Sequence, residues 1–430
     1  MGVVSCGTTM LDQGVFQNIG AVTWDTTAKT ANFTAVSGNG YFVNTTSGAI
    51  TLTLPAGSAG DIVGISDYAS TFQTNNLTIT PNGTDKINGL NENAVLNTKG
   101  IAVSLVYVDS TRGWKSVLGS DSDTTGEIPP GFTTATGGTI TCCGDYKIHT
   151  FTSPGTFSVS AVGNGPTICG GGPSTVNYMV VAGGGGGGAA IGGGGGAGGF
   201  REGKQGTDNG TYTASPLTAS CSGLPISVTS YPITVGAGGG GGNNCGTTAT
   251  IGSNSIFSTI TSAGGGADQP CASLKNGGSG SGGTHQSAGG SGNTPPVSPP
   301  QGQPGGSNSP GPVNTGQFAG GGGGGAGGAG TPSSSNGYPS NAGPGGGGVT
   351  TSINGSPVTR AGGGGGGVFL SNSPGAGGSG GGGAGAGVGP LASPGTVNTG
   401  GGGGGGAQPP GNPQGGSGGS GIVIIRYKYQ

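Results

Sequence analysis

The chain has 430 residues, 113 of them glycine, with charged residues at only 6% and a formal net charge of −2. So few charges give no electrostatic footprint for nucleic acid or an acidic membrane, and they argue against disorder, which charge usually keeps soluble. Hydrophobic residues, at 30%, are too few for one large core; they gather in residues 1–180, around 221–261 and at the end.

No apolar run approaches the ~20 residues of a membrane span. The opening "MGVVSCGTTMLDQG" has neither the basic start nor the apolar run of a secretory signal. It also carries Cys6 where a myristoylation signal has Ser or Thr. Residues 1–40 show little periodicity and form an N-terminal segment. From Tyr41 the pattern changes. "YFVNTTSGAITLTLP" has two β-rich runs split by a turn and predicts a hairpin. Short strands follow with Gly and Asn turns between them, so residues 41–120 are expected as a small β domain with Tyr107 and Trp114 in its core. The small, polar residues of 121–137, with a Pro-Pro pair, predict a linker. From 138 to 261 strands return, in "DYKIHTFTSPGTFSVSAV", "TVNYMVVA" and "LPISVTSYPITVGA".

Glycine runs at 183–188, 192–196, 238–242, 321–325, 345–348, 362–367, 380–383 and 400–406 occupy the stretch 183–420. They keep no Gly-X-Y period, which excludes a collagen triple helix. Ordered glycine must recover a large entropy cost. Side-by-side polyproline II rods can do so, because their backbone groups point outward and pair with neighbouring rods. A six-residue run makes a rod of roughly 19 Å at ~3.1 Å per residue. The chain then ends in "IVIIRYKYQ", an apolar strand that needs partners to cover it. Strands near 147–160 and 176–181 are the expected partners, with the chain leaving the platform at one edge and returning at the other. The expectation is therefore an all-β protein with essentially no α-helix. A β platform (138–261 and 421–430) brackets a glycine-rich polyproline II bundle (183–420).

Chemistry-bearing constellations are few. The seven cysteines form no CxxC pair, and His149 and His285 are far apart, so no metal centre is expected. Disulfides among Cys142, Cys143, Cys169, Cys221, Cys245 and Cys271 and small buried thiols both fit. GxGxxG matches such as "GSGGSG" arise from composition and open no helix after a strand. No catalytic triad or carboxylate pair stands out, so the chain reads as a binding protein, not an enzyme, with no cofactor. The connections between runs differ from one another and carry isolated apolar residues. Tyr338, Phe369, Leu370 and Phe318 are the candidate contact residues, in loops such as 331–341 and 368–374. The proline-rich stretch 293–313 is the next candidate.

Two stretches carry a family resemblance. "GYFVNTTSGAITLTLPAGSAGDIVGISDY" through "VSLVYVDSTRGWKSV" resembles a β domain of tailed-phage fibres. "HTFTSPGTFSV", "VNYMVVAGGGGGG" and "GGSGIVIIRY", in that order, resemble the glycine-rich domain of bacteriophage tail fibres and adhesins. The resemblance implies a virion component made in the host cytoplasm. It implies a homotrimer, attached to other tail or baseplate proteins by residues 1–40. Its glycine-rich tip is expected to contact a host surface receptor, a glycan or an outer-membrane protein, with no nucleic acid and no membrane insertion. A structural spacer or baseplate decoration protein is the alternative. A glycan depolymerase would call for a β-helix repeat and a groove of carboxylates, and the sequence displays neither.

Overall fold

The computed structural model describes residues 22–118, 131–165, 172–205, 212–219, 223–243, 248–268, 275–284, 287–308, 319–334, 341–369, 373–389, 391–408 and 413–430, together with the backbone of strand residues 3–5, 8–12 and 15–16. The chain forms two compact units, Met1–Pro130 and Gly131–Gln430. The described residues hold strands and irregular rods and no helix, as the sequence predicts.

In the first unit, β1 (Val3–Ser5), β2 (Thr8–Asp12) and β3 (Val15–Phe16) form a small antiparallel sheet. The remaining strands are β4 (Thr23–Lys29), β5 (Phe33–Thr34), β6 (Asn39–Val43), β7 (Ile50–Thr53), β8 (Ile62–Asp67), β9 (Leu77–Thr80), β10 (Ala94–Leu96), β11 (Ala102–Tyr107) and β12 (Trp114–Leu118). β4, β6 and β8 run parallel in one sheet, and β5, β7 and β9 run parallel in another. The chain alternates between the two sheets, so each strand pair is one coil of a short solenoid. β10, β11 and β12 close its end antiparallel.

This corrects two expectations. The runs at 41–55 are not a hairpin. β6 and β7 belong to different sheets, and the alternating residues Tyr41 and Val43 face Ile50, Leu52 and Leu54 across one core. A period-two pattern says which face is buried but not which sheet the strand joins. Nor does the β domain start at 41, because β4 and β5 supply its first coil. The coiled repeat missing from the sequence reading is also present in short form. Its aspartates brace turns: Asp61 accepts from Ser37 Oγ and Ser58 N–H, and Asp67 accepts from the Thr71, Phe72 and Gly100 amides. Trp114 and Tyr107 are core residues, packed edge-to-face with centroids 5.6 Å apart.

The second unit carries β13 (Thr134–Thr136), β14 (Thr139–Cys143), β15 (Tyr146–Phe151), β16 (Gly155–Ala161), β17 (Thr175–Val181), β18 (Phe200–Gly203), β19 (Thr218–Ala219), β20 (Leu224–Pro225), β21 (Ser230–Thr234), β22 (Ser255–Phe257), β23 (Ile260–Ser262), β24 (Val349–Thr351), β25 (Val358–Arg360) and β26 (Ile422–Lys428). β13 lies inside the stretch read as linker and pairs with β16. One sheet has the order β13-β16-β21-β22-β23, and the other β14-β15-β26-β17-β18-β19 with β20 beside β17. The terminal strand finds the two partners the sequence named, β15 and β17. It lies between them, however, in the middle of the sheet and hydrogen-bonded to the strand from which the bundle departs. Its unbroken apolar run follows from burial on both faces. Val423, Ile425 and Tyr427 pack with Phe157, Ile233 and Phe257, while Ile422 and Ile424 pack with Met179, Phe200 and Ile353.

Beyond this platform the glycine segments pack as rods with a three-residue period. In the run 183–188 the amides of Gly183 and Gly186 donate to Ser253 and Thr250. Those of Gly184 and Gly187 donate to Gly419 and Gly416, and those of Gly185 and Gly188 to Gly196 and Gly193. Every third residue thus meets the same neighbouring rod, as a polyproline II helix of three residues per turn requires. Rod 361–368 repeats the rule. Gly363 and Gly366 donate to Gly346 and Gly343, Gly364 and Gly367 to Gly195 and Gly192, and Gly365 and Val368 to Gly383 and Ala386. Not every rod is a glycine run. Residues 248–254 and 413–420 also run as rods at the margin of the bundle, where Thr250, Ile251, Ser253, Gln414 and Ser417 face solvent. There only the inward positions Ala249, Gly252, Gly416 and Gly419 are buried.

Candidate functional site: the distal end of the glycine bundle

The rods leave the platform and return to it in alternation. Rod 183–188 continues β17 outward, and rod 192–199 returns to β18. Antiparallel neighbours extend the alternation: Gly192, Gly195 and Gly198 donate to Gly406, Gly403 and Gly400, and Gly416 and Gly419 to Gly404 and Gly401. The outer ends of the rods therefore form one distal face. Cross-rod bonds tie it together. Ala190 N–H donates to Pro413 O, Thr284 Oγ1 to Ile191 O, Asn308 N–H to Ser287 O, and Gln408 N–H to Val368 O. The stretch 335–340 is flanked by a clasp in which Ser334 N–H donates to Asn341 O, and Asn341 N–H to Ser334 Oγ.

Of the candidate contact residues, Phe369 lies on this face. It is half-buried, directly after Val368, which packs with Ala319 and Ala342 in a small distal cluster. Tyr338, Leu370 and Phe318 lie outside the described residues. Two apolar residues that the sequence reading did not single out are exposed on the same face, Val388 at 54% and Leu391 at 64%. They flank the turn that follows rod 382–387, next to the rod that ends in Phe369, as the bond from Val368 N–H to Ala386 O shows. Their signal was available: isolated Val and Leu around a Gly-Pro pair in an otherwise glycine-rich stretch. By contrast, the first part of the proline-rich candidate stretch turns at the platform end. Asn293 Oδ1 accepts from the Val297 and Gln301 amides, and Gln301 O accepts from Phe200 N–H. That turn cannot share a contact surface with Phe369.

The distal face is uncharged among its described surface residues. The nearest ionisable pair, Asp268 and Lys275, is interior, at 3.8 Å with both side chains nearly fully buried. Asp268 ends a rod. The amides of Gly199 and Gly196 donate to Ala263 O and Gly266 O, and Gly193 N–H then meets Asp268 Oδ2 at 2.7 Å. The carboxylate substitutes for the next backbone carbonyl in the lattice. Burial pushes its pKa up to about 6 against the opposing pull of the Gly193 amide and Lys275.

Elsewhere, His149 is structural. Gly137 O accepts from its Nδ1–H at 2.7 Å, which leaves Nε2 to accept from the Tyr427 hydroxyl at 3.0 Å. Burial holds its pKa below the usual histidine value. Cys142 and Cys143 are free thiols on β14; the other cysteines lie outside the described residues, as does His285. No group of His, Cys, Asp and Glu suited to a metal occurs among the described residues, and they include no helix long and apolar enough to cross a membrane.

A family model described as a glycine-rich domain matches residues 152–428. None of the curated proteins matches the chain.

Proposed function

The chain belongs to the glycine-rich domain family, and from that premise we propose that it is a bacteriophage tail fibre protein whose glycine-rich unit is the host-recognition tip. The observation that carries the reading is the division of labour in the second unit. A lattice of hydrogen-bonded rods fixes the backbone and brings alternate connections to one distal end, where Phe369, Val388 and Leu391 stand. A rigid scaffold presenting varied loops is the general form of a recognition surface. Apolar anchors set among uncharged polar groups suit contact with a host surface without electrostatic steering. Residues 1–140 join three chains, and each tip binds weakly, so several tips together give avidity.

Binding of purified, labelled chain to host cells and to resistant cells tests the proposal. Saturable binding to host cells alone is expected. Equal binding to both, or none to either, would leave the chain a structural spacer or decoration protein of the virion.

A further inference from the structure

The two outer faces of the first unit differ, and the tip function does not account for the difference. On the sheet of β5, β7, β9 and β10, the residues that alternate with the core put Thr34, Thr53 and Thr80 in one row and Thr51 and Thr78 in the next. That is an ordinary solvated face. On the sheet of β4, β6, β8, β11 and β12, one outward row is Trp24, Gly40, Gly64 and Ser104. Phe42 lies on one side of it, and the pair Ile62 and Val106 on the other. Trp24 is 40% exposed, and so is 55% of Val117 on β12. The one ionisable residue in these rows is Lys115, opposite Val106 on the edge strand.

Two strand glycines bring the large residues close to the sheet. Glycine weakens a strand interior and marks a close approach there, and neither Gly40 nor Gly64 has a positive φ. A Cβ at Gly40 would lie 2.7 Å from the Trp24 ring and 2.8 Å from Val22 Cγ2, and one at Gly64 2.8 Å from the same methyl. Trp24 thus reaches from the edge strand over Gly40 toward the central strand β8, with its ring centroid 4.9 Å from that of Phe42. The result is a low, apolar face on a regular sheet, the form that packs against another sheet face.

We propose that this face is where three copies of the chain meet, a proposal that rests on the reading that residues 1–140 join three chains and names the surface they use. Four strand spacings of about 4.8 Å and five residues of about 3.3 Å make the face roughly 19 by 17 Å, or about 320 Å². Two such faces cover about 640 Å², short of the roughly 1,000 Å² that a specific interface should clear, whereas three reach about that value. The dimensions also close. The centre of an equilateral triangle with sides of about 19 Å lies about 5.5 Å from each side, close to half the ~10 Å between packed sheets. Side chains of ordinary size fill that prism, with the three Trp24 rings converging toward its axis and the threonine faces turned to solvent.

Light scattering and acrylamide quenching of the full chain test it. The chain has two tryptophans, and Trp114 is fully buried, so quenching reports Trp24. The native chain should have the mass of three chains and a Trp24 emission that acrylamide barely quenches. Ser104→Lys and Ala102→Glu each put a charge on the face without touching the core. Each should raise the concentration for half-dissociation at least about a hundredfold, because the charge would be buried without a partner, and should make Trp24 quenchable. Thr78→Lys, on the threonine face, should change neither. Should one face variant fail to fold, the other and the native quenching decide. A three-chain mass with Trp24 freely quenched, or one that survives both face variants, overturns the proposal and leaves the trimer standing. A monomeric native chain overturns both.

Discussion

A methyl group added to Gly365 has nowhere to go. A Cβ built there lies 2.0 Å from the carbonyl oxygen of Gly375 and 2.8 Å from that of Ala376. To reach an ordinary contact, which begins near 3.4 Å, one rod must move by more than about 1 Å. Gly365 N–H donates to Gly383 O at 2.9 Å, and Gly405 N–H donates to Gly365 O at 2.9 Å. A shift of that size breaks or badly strains both. Two lost bonds of about 1 kcal/mol each, added to overpacking of about 1–3 kcal/mol, make Gly365→Ala about 3 kcal/mol destabilising or more. At about 2 °C per kcal/mol for a unit of this size, melting should fall by about 6 °C. Gly240 supplies the control. It lies in another glycine run, but at the margin, and a Cβ there meets only Thr250 Oγ1 at 3.6 Å. Gly240→Ala should stay within about 1 kcal/mol of the native chain and can gain from reduced unfolded-state entropy. Scanning calorimetry of the two variants decides. Equal melting temperatures would mean that the runs are flexible connectors rather than close-packed rods, and the lattice argument would fail.

Other consequences can be measured alongside. Phe369→Ala and Leu391→Ala should each lower host-cell adsorption, by about tenfold if either is a hot spot worth 1–2 kcal/mol, without moving the melting temperature; unchanged adsorption in both would place the contact surface elsewhere. Asp268 has a folded-state pKa of about 6, above its unfolded value near 3.8, so the folded state binds the extra proton in that window. Its contribution to stability is present below about pH 4 and is lost as the pH rises to about 6, by up to about 3 kcal/mol. Asp268→Asn should remove this fall, and an identical pH–melting profile in the variant would refute the assignment. The chain should also be a homotrimer by light scattering, and a monomer at micromolar concentration would count against association through residues 1–140.

Composition and pattern alone determined the class of this protein. Glycine-rich runs without charge, bounded by an apolar strand at each end, allow few ordered solutions, because ordered glycine backbone must satisfy every amide with a neighbouring chain. The run "IVIIRYKYQ" likewise demanded covering strands, and the two named from sequence are its partners. What the sequence could not settle were choices between equivalent surfaces. The alternation in 41–55 marks an inward face in a hairpin and in a solenoid coil alike, and only the facing sheet decides between them. A glycine run marks a rod enclosed on all sides, but a marginal rod such as 248–254 needs a small residue only where it faces inward. Such rods read as loops until their hydrogen bonds are seen. The position of β26 at the centre of its sheet, and the meeting of Phe369, Val388 and Leu391 on one face, depend on which rods are neighbours. Contacts between rods far apart in sequence fix that, and no local pattern records them.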